Sequence, residues 1–138
     1  MRHPNATLSR FLDSLEGIVA RERDQWKIVA AVEPLVKQLI ADPDRSYIKD
    51  RYRRPPEGKT GVAAGYGQYC LYRRGTELSV IAFCWGPGKG TPIHDHCGLW
   101  CVEGVWQGQL EITRYELEET DGDRARFTRY ETLLAGAG

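Results

Sequence analysis

Residues 85–96 read WGPGKGTPIHDH, a glycine- and proline-rich loop pattern that ends on a His-Asp-His triplet. If the triplet lies in a strand, alternate side chains share a face, so His94 and His96 converge while Asp95 points away. Two imidazoles on one face can hold a divalent metal at about 2 Å each. An isolated His-x-His pair is often coincidental, but the preceding loop leaves space for a ligand. The stretch therefore predicts a metal site.

Outward from this stretch, apolar and polar residues alternate in short segments. The segments are rich in aromatic and β-branched residues and are separated by Gly, Pro or Asp, which is typical of β-strands. They span residues 68–72, 78–85, 91–96, 99–105, 109–117 and 124–134. The sequence TDGD at residues 120–123 predicts a tight hairpin turn between the last two. Short antiparallel strands at this spacing predict a sandwich or a barrel.

The first third of the chain has a helical period instead. Apolar residues recur every three or four positions between Thr7, a candidate N-cap, and Ala20. A second apolar stripe follows Asp24, where Pro34 predicts a kink or a division into two short helices. The sequence DPD at 42–44 ends the helical part, and residues 50–59 are interpreted as a linker or surface loop. We expect a helical segment and linker over 1–60 and a β-domain over 61–138, which together form a single domain.

Composition narrows the function classes. The 138 residues include 19 basic and 19 acidic side chains, so the formal net charge is zero. A protein that binds nucleic acid or a membrane surface would need an excess of positive charge, so the composition argues against both classes. Neither a long apolar run nor a basic-then-apolar leader is present, so we expect a cytoplasmic location. The four cysteines do not suggest the disulfide framework of a small secreted domain and are interpreted as reduced thiols. Cys70 and Cys84 are expected in the core.

Several short motifs around the triplet resemble one known family. Gly88, His94-x-His96 and Gly108 match the first motif of the cupin superfamily. More narrowly, the segments 84–88, 93–96 and 107–108 are similar to those of thiol dioxygenases, meaning cysteine dioxygenase and its bacterial relative 3-mercaptopropionate dioxygenase. The resemblance implies a mainly β fold, a cupin-type antiparallel β-barrel after an N-terminal helical segment. It also implies Fe(II) held by three neutral histidines. Such an enzyme adds both atoms of O2 to the thiol of a small mercapto-carboxylate and yields a sulfinate.

The same resemblance implies the remaining site residues. Tyr66 and Gln68 match a Tyr-x-Gln pair, in which glutamine is associated with 3-mercaptopropionate and arginine with cysteine as substrate. Cys101 stands where most cupins have a glutamate ligand and where animal cysteine dioxygenases have a cysteine that forms a thioether with a tyrosine. The predicted set is thus His94 and His96 as metal ligands, Gln68 as substrate-binding residue, and Tyr66 and Cys101 as catalytic residues. Glu103 does not fit the ligand spacing.

The family's third histidine lies downstream of the first motif, and this sequence has no histidine after His96. His3, near the N-terminus, is not expected to take part. Six strands are also too few to close the barrel, so we expect an N-terminal portion of a longer protein. Two alternatives remain open. One is a cupin-like module that binds a metal or a small acid without turnover, and the other is a structural zinc protein using both histidines with Cys97 or Cys101.

Overall fold

The structure, a computed structural model, describes residues 3–54 and 66–136. The chain divides into two compact units, Asp44–His94 and the combination of Met1–Pro43 with Asp95–Gly138. Residues 55–59 of the predicted linker and the start of the predicted β-domain at 61–65 lie outside the described residues. Each unit is described by itself below.

Helices α1 (Ala6–Arg21) and α2 (Gln25–Ala41) pack together in the first unit. Their apolar stripes supply its buried residues: Leu8, Phe11, Leu12, Leu15, Ile18, Ile28 and Val32. The predicted N-cap was wrong, because the side chain of Asn5 accepts a hydrogen bond from the backbone N–H of Leu8 at 3.0 Å. Thr7 instead lies buried inside the first turn. The spacing of apolar residues therefore located the helix correctly, but its N-cap lies two residues before the predicted one.

Pro34 lies inside the continuous helix α2, so the predicted division into two short helices was wrong, while a kink at Pro34 stays a prediction. The φ angle of proline suits a helix, so the ring costs the helix mainly one hydrogen bond and some crowding. The exposed position of Pro34 and the buried Ile28 and Val32 on the opposite stripe allow the helix to continue. It ends where the DPD sequence predicts, with Asp42 as the C-cap.

The first unit also contains β3 (Gln109–Asp121) and β4 (Arg124–Gly136), which pair antiparallel. Asp121 pairs with Arg124, so the predicted hairpin turn is confirmed as a two-residue loop. Cross-strand ion pairs join Arg114 to Glu131 at 3.0 Å and Arg126 to Glu119 at 3.5 Å. These pairs are exposed, so they contribute little to stability and help mainly to define the strand register.

The second unit contains β1 (Tyr66–Arg74) and β2 (Leu78–Trp85), which form an antiparallel hairpin. A short 3₁₀ helix (Asp50–Arg53) packs against them where a loop was predicted, and its Tyr52 stacks on Tyr69 with ring centroids 4.6 Å apart. Among the described residues of this unit, the buried apolar ones are Tyr47, Tyr72 and Leu78.

The predicted fold class, antiparallel β-structure behind an N-terminal helical segment, is confirmed. Within the described residues the strands form two two-stranded sheets, so closure into a cupin barrel stays a prediction.

Candidate metal and substrate site

The His-Asp-His triplet lies in a loop, and the strands predicted at 91–96 and 99–105 were wrong. Residues 86–108, all of which the structure describes, contain no strand. Some backbone groups that could pair with a neighbouring strand form hydrogen bonds within local turns instead. The N–H of Lys89 donates to the carbonyl oxygen of Gly86 at 3.1 Å, and the N–H of Leu99 donates to the carbonyl oxygen of His96 at 3.0 Å. Two prolines and several glycines further disfavour a ladder, because proline lacks the N–H and glycine gains no side-chain packing.

His94 belongs to the second unit and is exposed. Its Nδ1 atom lies 2.9 Å from the carbonyl oxygen of Pro92. In the tautomer protonated at Nδ1, that nitrogen donates to the carbonyl and the ligand lone pair is on Nε2. Metal-binding histidines commonly have such a backbone partner, which holds the ring in one tautomer and orientation. The contact therefore suits His94 to the ligand role that the sequence predicted.

His96 belongs to the first unit and begins a turn that reverses the chain. Cys97 and Gly98 both have positive φ angles, 56° and 75°, which is the pattern of a type I′ turn. Asp95 supports the turn, because its Oδ1 accepts a hydrogen bond from the backbone N–H of Cys97 at 3.1 Å. The carboxylate of Asp95 thus has a structural role in the loop.

After the turn, the chain brings the side chains of Cys101 and Glu103 to His96. One ligand atom from each of these three residues lies within 4.8 Å of the other two, and all three residues are exposed. His94 is not a member of this group. Sequence reasoning found His96 and Cys101 but set Glu103 aside on spacing. The signal was present, since the pattern Cys-x-Glu predicts two side chains on one face of an extended segment.

The thiol of Cys101 is held in its protonated form. It donates a hydrogen bond to Oε1 of Glu103 at 3.9 Å. Partial burial raises the pKa of the Cys101 thiol, and the negative charge of Glu103 and this hydrogen bond raise it further. Without a cation nearby, Cys101 is therefore a weaker nucleophile than an ordinary cysteine.

Gly104 packs closely against helix α2. A Cβ atom on Gly104 would meet the side chain of Ile40 and would lie 2.9 Å from Cγ1 of Val36. The backbone therefore approaches the helix more closely than any residue with a side chain would permit. Because Gly104 follows Glu103 directly, α2 supports the position of the Cys101–Glu103 segment.

Tyr66 and Gln68 lie on one face of the β1–β2 hairpin, two residues apart. The hydroxyl of Tyr66 donates a hydrogen bond to Oε1 of Gln68 at 3.3 Å. The ring of Tyr66 stacks on Trp85 with centroids 4.2 Å apart and on Phe83 at 5.7 Å. Desolvation raises the pKa of Tyr66, so its hydroxyl stays protonated and remains a donor. The hairpin thus presents an oriented amide beside an aromatic surface.

All four cysteines are free thiols, as predicted. The predicted core position of Cys70 was wrong, because Cys70 is exposed, and Cys84 is half-buried. Partial burial raises the pKa of the Cys84 thiol.

The described residues combine two helices, antiparallel hairpins and a histidine, cysteine and carboxylate group that could hold a metal ion, which agrees with the fold class predicted from the sequence. The family model for cysteine dioxygenase type I matches residues 62–133, just over half of the chain. The chain belongs to the cysteine dioxygenase type I family, which confirms the resemblance predicted from the motifs.

A similar protein is cysteine dioxygenase type 1 of Danio rerio, with 38% identity over 40 residues. The match covers 29% of this chain and 20% of that protein, so the chain spans about a fifth of its relative's length. No solved structure matches the chain. Among the described residues, neither helix combines the length and hydropathy needed to cross a membrane.

Proposed function

We propose that the chain is part of an iron(II)-dependent thiol dioxygenase that converts a small mercapto-carboxylate and O2 to a sulfinate. The observation that carries the proposal is the family match over residues 62–133, which includes the His94-Asp95-His96 triplet. In the overall reaction, a thiolate R–S⁻ and O2 give R–SO2⁻, so both oxygen atoms go to sulfur and the other substrate bonds stay intact.

His94 and His96 would hold the iron. Both side chains are exposed imidazoles, and the Pro92 carbonyl beside Nδ1 of His94 supports coordination through Nε2. Neutral ligands leave a ferrous centre with enough positive charge to attract a thiolate. The bound metal would supply a site where the thiolate and O2 react in contact. The donor chemistry of the two histidines therefore fits the implied cofactor.

Gln68 would bind the substrate carboxylate. Its Oε1 accepts from Tyr66, so the amide nitrogen remains as the donor for an incoming carboxylate oxygen. The Tyr66–Trp85 stack would face the carbon chain of the substrate and exclude water from it. Tyr66, which the resemblance predicts as a catalytic residue, would orient the amide of Gln68 through this hydrogen bond. In the family that the sequence resembles, an amide at this position is associated with 3-mercaptopropionate and a guanidinium with cysteine.

The test of this proposal is O2 uptake and sulfinate formation by the iron-loaded protein, with 3-mercaptopropionate and cysteine as separate substrates. In the family that the sequence resembles, arginine at this position is associated with cysteine, so we expect Gln68→Arg to change the ratio of the two kcat/KM values about tenfold in favour of cysteine. Gln109→Arg is the matched control, since Gln109 is also an exposed glutamine in a strand. Equal ratios in both variants would remove Gln68 from substrate recognition.

Iron content tests the ligand assignment. We expect His94→Ala and His96→Ala each to lose most of the bound iron while the helices and hairpins remain folded, because neither histidine belongs to the described apolar cores. Normal iron content in both variants would contradict the proposal. Iron binding without O2 uptake for either thiol would instead favour the non-catalytic binding module.

A further inference from the structure

Three different donor types meet in the loop before β3. His96 offers an imidazole nitrogen, Cys101 a sulfur and Glu103 a carboxylate oxygen, and the three ligand atoms lie within 4.8 Å of one another. Imidazole, thiolate and carboxylate are the three protein ligands of zinc. The group is thus a mixed ligand set, which distinguishes it from an ordinary cluster of surface carboxylates.

The separation of the donors is close to what one ion requires. Bonds of about 2.0–2.3 Å in a tetrahedral site place the donor atoms roughly 3.3–3.8 Å apart. The donors, at most 4.8 Å apart, therefore need to approach by about 1 Å, which side-chain rotation can supply. The thiol of Cys101 already points to the carboxylate of Glu103, so two of the three donors face one another before an ion binds.

The backbone of this loop limits how far the donors can separate. The turn at Cys97 and Gly98 returns the chain towards His96, and the contact of Gly104 with Val36 and Ile40 supports the other end. All three donor residues are exposed, so water can reach a fourth coordination position. Three protein ligands and one water are the arrangement of zinc sites that keep an open position.

We propose that His96, Cys101 and Glu103 form a binding site for Zn²⁺ that does not use His94. On binding, the thiol of Cys101 loses its proton to solvent, and the thiolate sulfur becomes a ligand without any change of oxidation state. A thiolate donor selects against Mg²⁺ and Ca²⁺, and the order of stabilities places Zn²⁺ above Fe²⁺ for such a set. This site goes beyond the proposed function. His96 is the only metal ligand that the two sites share, so the two ions would compete for that imidazole.

The test is metal binding by the reduced, metal-free protein. Zn²⁺ affinity is measured by competition with a chromophoric chelator, and Co²⁺ is used to detect a sulfur-to-metal charge-transfer band in the near ultraviolet. We expect Cys101→Ser to abolish that band. We expect Cys101→Ser and Glu103→Gln each to weaken Zn²⁺ binding by at least about tenfold, since each removes one ligand. Cys97→Ser and Glu111→Gln are the matched controls and should keep the wild-type affinity.

His94→Ala separates this proposal from the iron site. We expect it to keep the Zn²⁺ affinity of the wild type and to lose iron, whereas His96→Ala should lose both ions. Absence of Zn²⁺ binding by the wild type would overturn the zinc site, as would equal affinities of Cys101→Ser and Cys97→Ser. Loss of Zn²⁺ with His94→Ala and retention with Glu103→Gln would also overturn it and would leave the His94–His96 site standing. Glu103→Gln keeps the shape of the side chain, so misfolding does not obscure the result.

Discussion

The close approach of Gly104 to α2 makes the substitution Gly104→Ala a direct test of how the metal-site loop is held. The added Cβ would lie 2.9 Å from Cγ1 of Val36 and would overlap the side chain of Ile40. The φ angle of Gly104 is an ordinary one, so the effect is steric and involves no backbone strain. Either the loop moves away from the helix or the two apolar side chains adopt less favourable rotamers.

Two opposing effects determine how much Gly104→Ala lowers the free energy of unfolding. Overpacking costs about 1–3 kcal/mol, whereas alanine restricts the unfolded chain and recovers roughly 0.4–1 kcal/mol. Val36 and Ile40 are only half-buried and can yield in part, so we expect a net loss of about 1–2 kcal/mol in the free energy of unfolding. For a chain of this length, such a loss lowers Tm by roughly 3–8 °C.

The assay is urea unfolding followed by circular dichroism, with Tm as a second measure. Gly90→Ala is the matched control, because Gly90 has an ordinary φ angle and a Cβ there meets nothing within 4 Å. Ile40→Ala removes the side-chain atoms nearest to the added Cβ. In a double-mutant cycle, the combination of Gly104→Ala with Ile40→Ala should therefore show a favourable coupling energy of about 1 kcal/mol. If Gly104→Ala unfolds at the same urea concentration as Gly90→Ala, the loop does not pack on α2 as described.

Three further predictions concern the helix cap and the loop. Asn5→Ala should lower the free energy of unfolding by about 1 kcal/mol, measured by urea unfolding, because the N–H of Leu8 loses its side-chain acceptor. Cys97→Gly should leave stability unchanged or raise it by up to about 1 kcal/mol, since its φ of 56° is unfavourable for a residue with a side chain. In metal-free protein with the other cysteines replaced by serine, Glu103→Gln should lower the pKa of Cys101, because the carboxylate charge that raises it is removed. The rate of thiol alkylation would then rise at lower pH than in the same protein with Glu103, and identical pH profiles would contradict this coupling.

Local sequence patterns were sufficient for the elements that make most of their hydrogen bonds internally. The three-and-four spacing of apolar residues located α1 and α2, and alternation located both hairpins, with β2 at the predicted residues 78–85. The predicted division of α2 at Pro34 was wrong, because packing of the stripe that contains Ile28 and Val32 outweighs one lost hydrogen bond.

The loop that carries the candidate ligands could not be predicted in the same way. Alternation suggested strands at 91–96 and 99–105, yet a strand exists only when another chain segment pairs with it. A local turn after His96 and the contact of Gly104 with α2 determine the path there, and the contact depends on residues distant in sequence.

The sequence by itself determined the helices, the hairpins, the family and most of the residues able to bind a metal. Only the tertiary structure decided that His96 meets Cys101 and Glu103, and that Tyr66 orients the amide of Gln68. The reason is physical. Sequence periodicity indicates which side chains share a face of one helix or strand. Whether metal-ligand atoms come together across a loop depends instead on the geometry of its turn and on its packing against a helix more than sixty residues away in the chain.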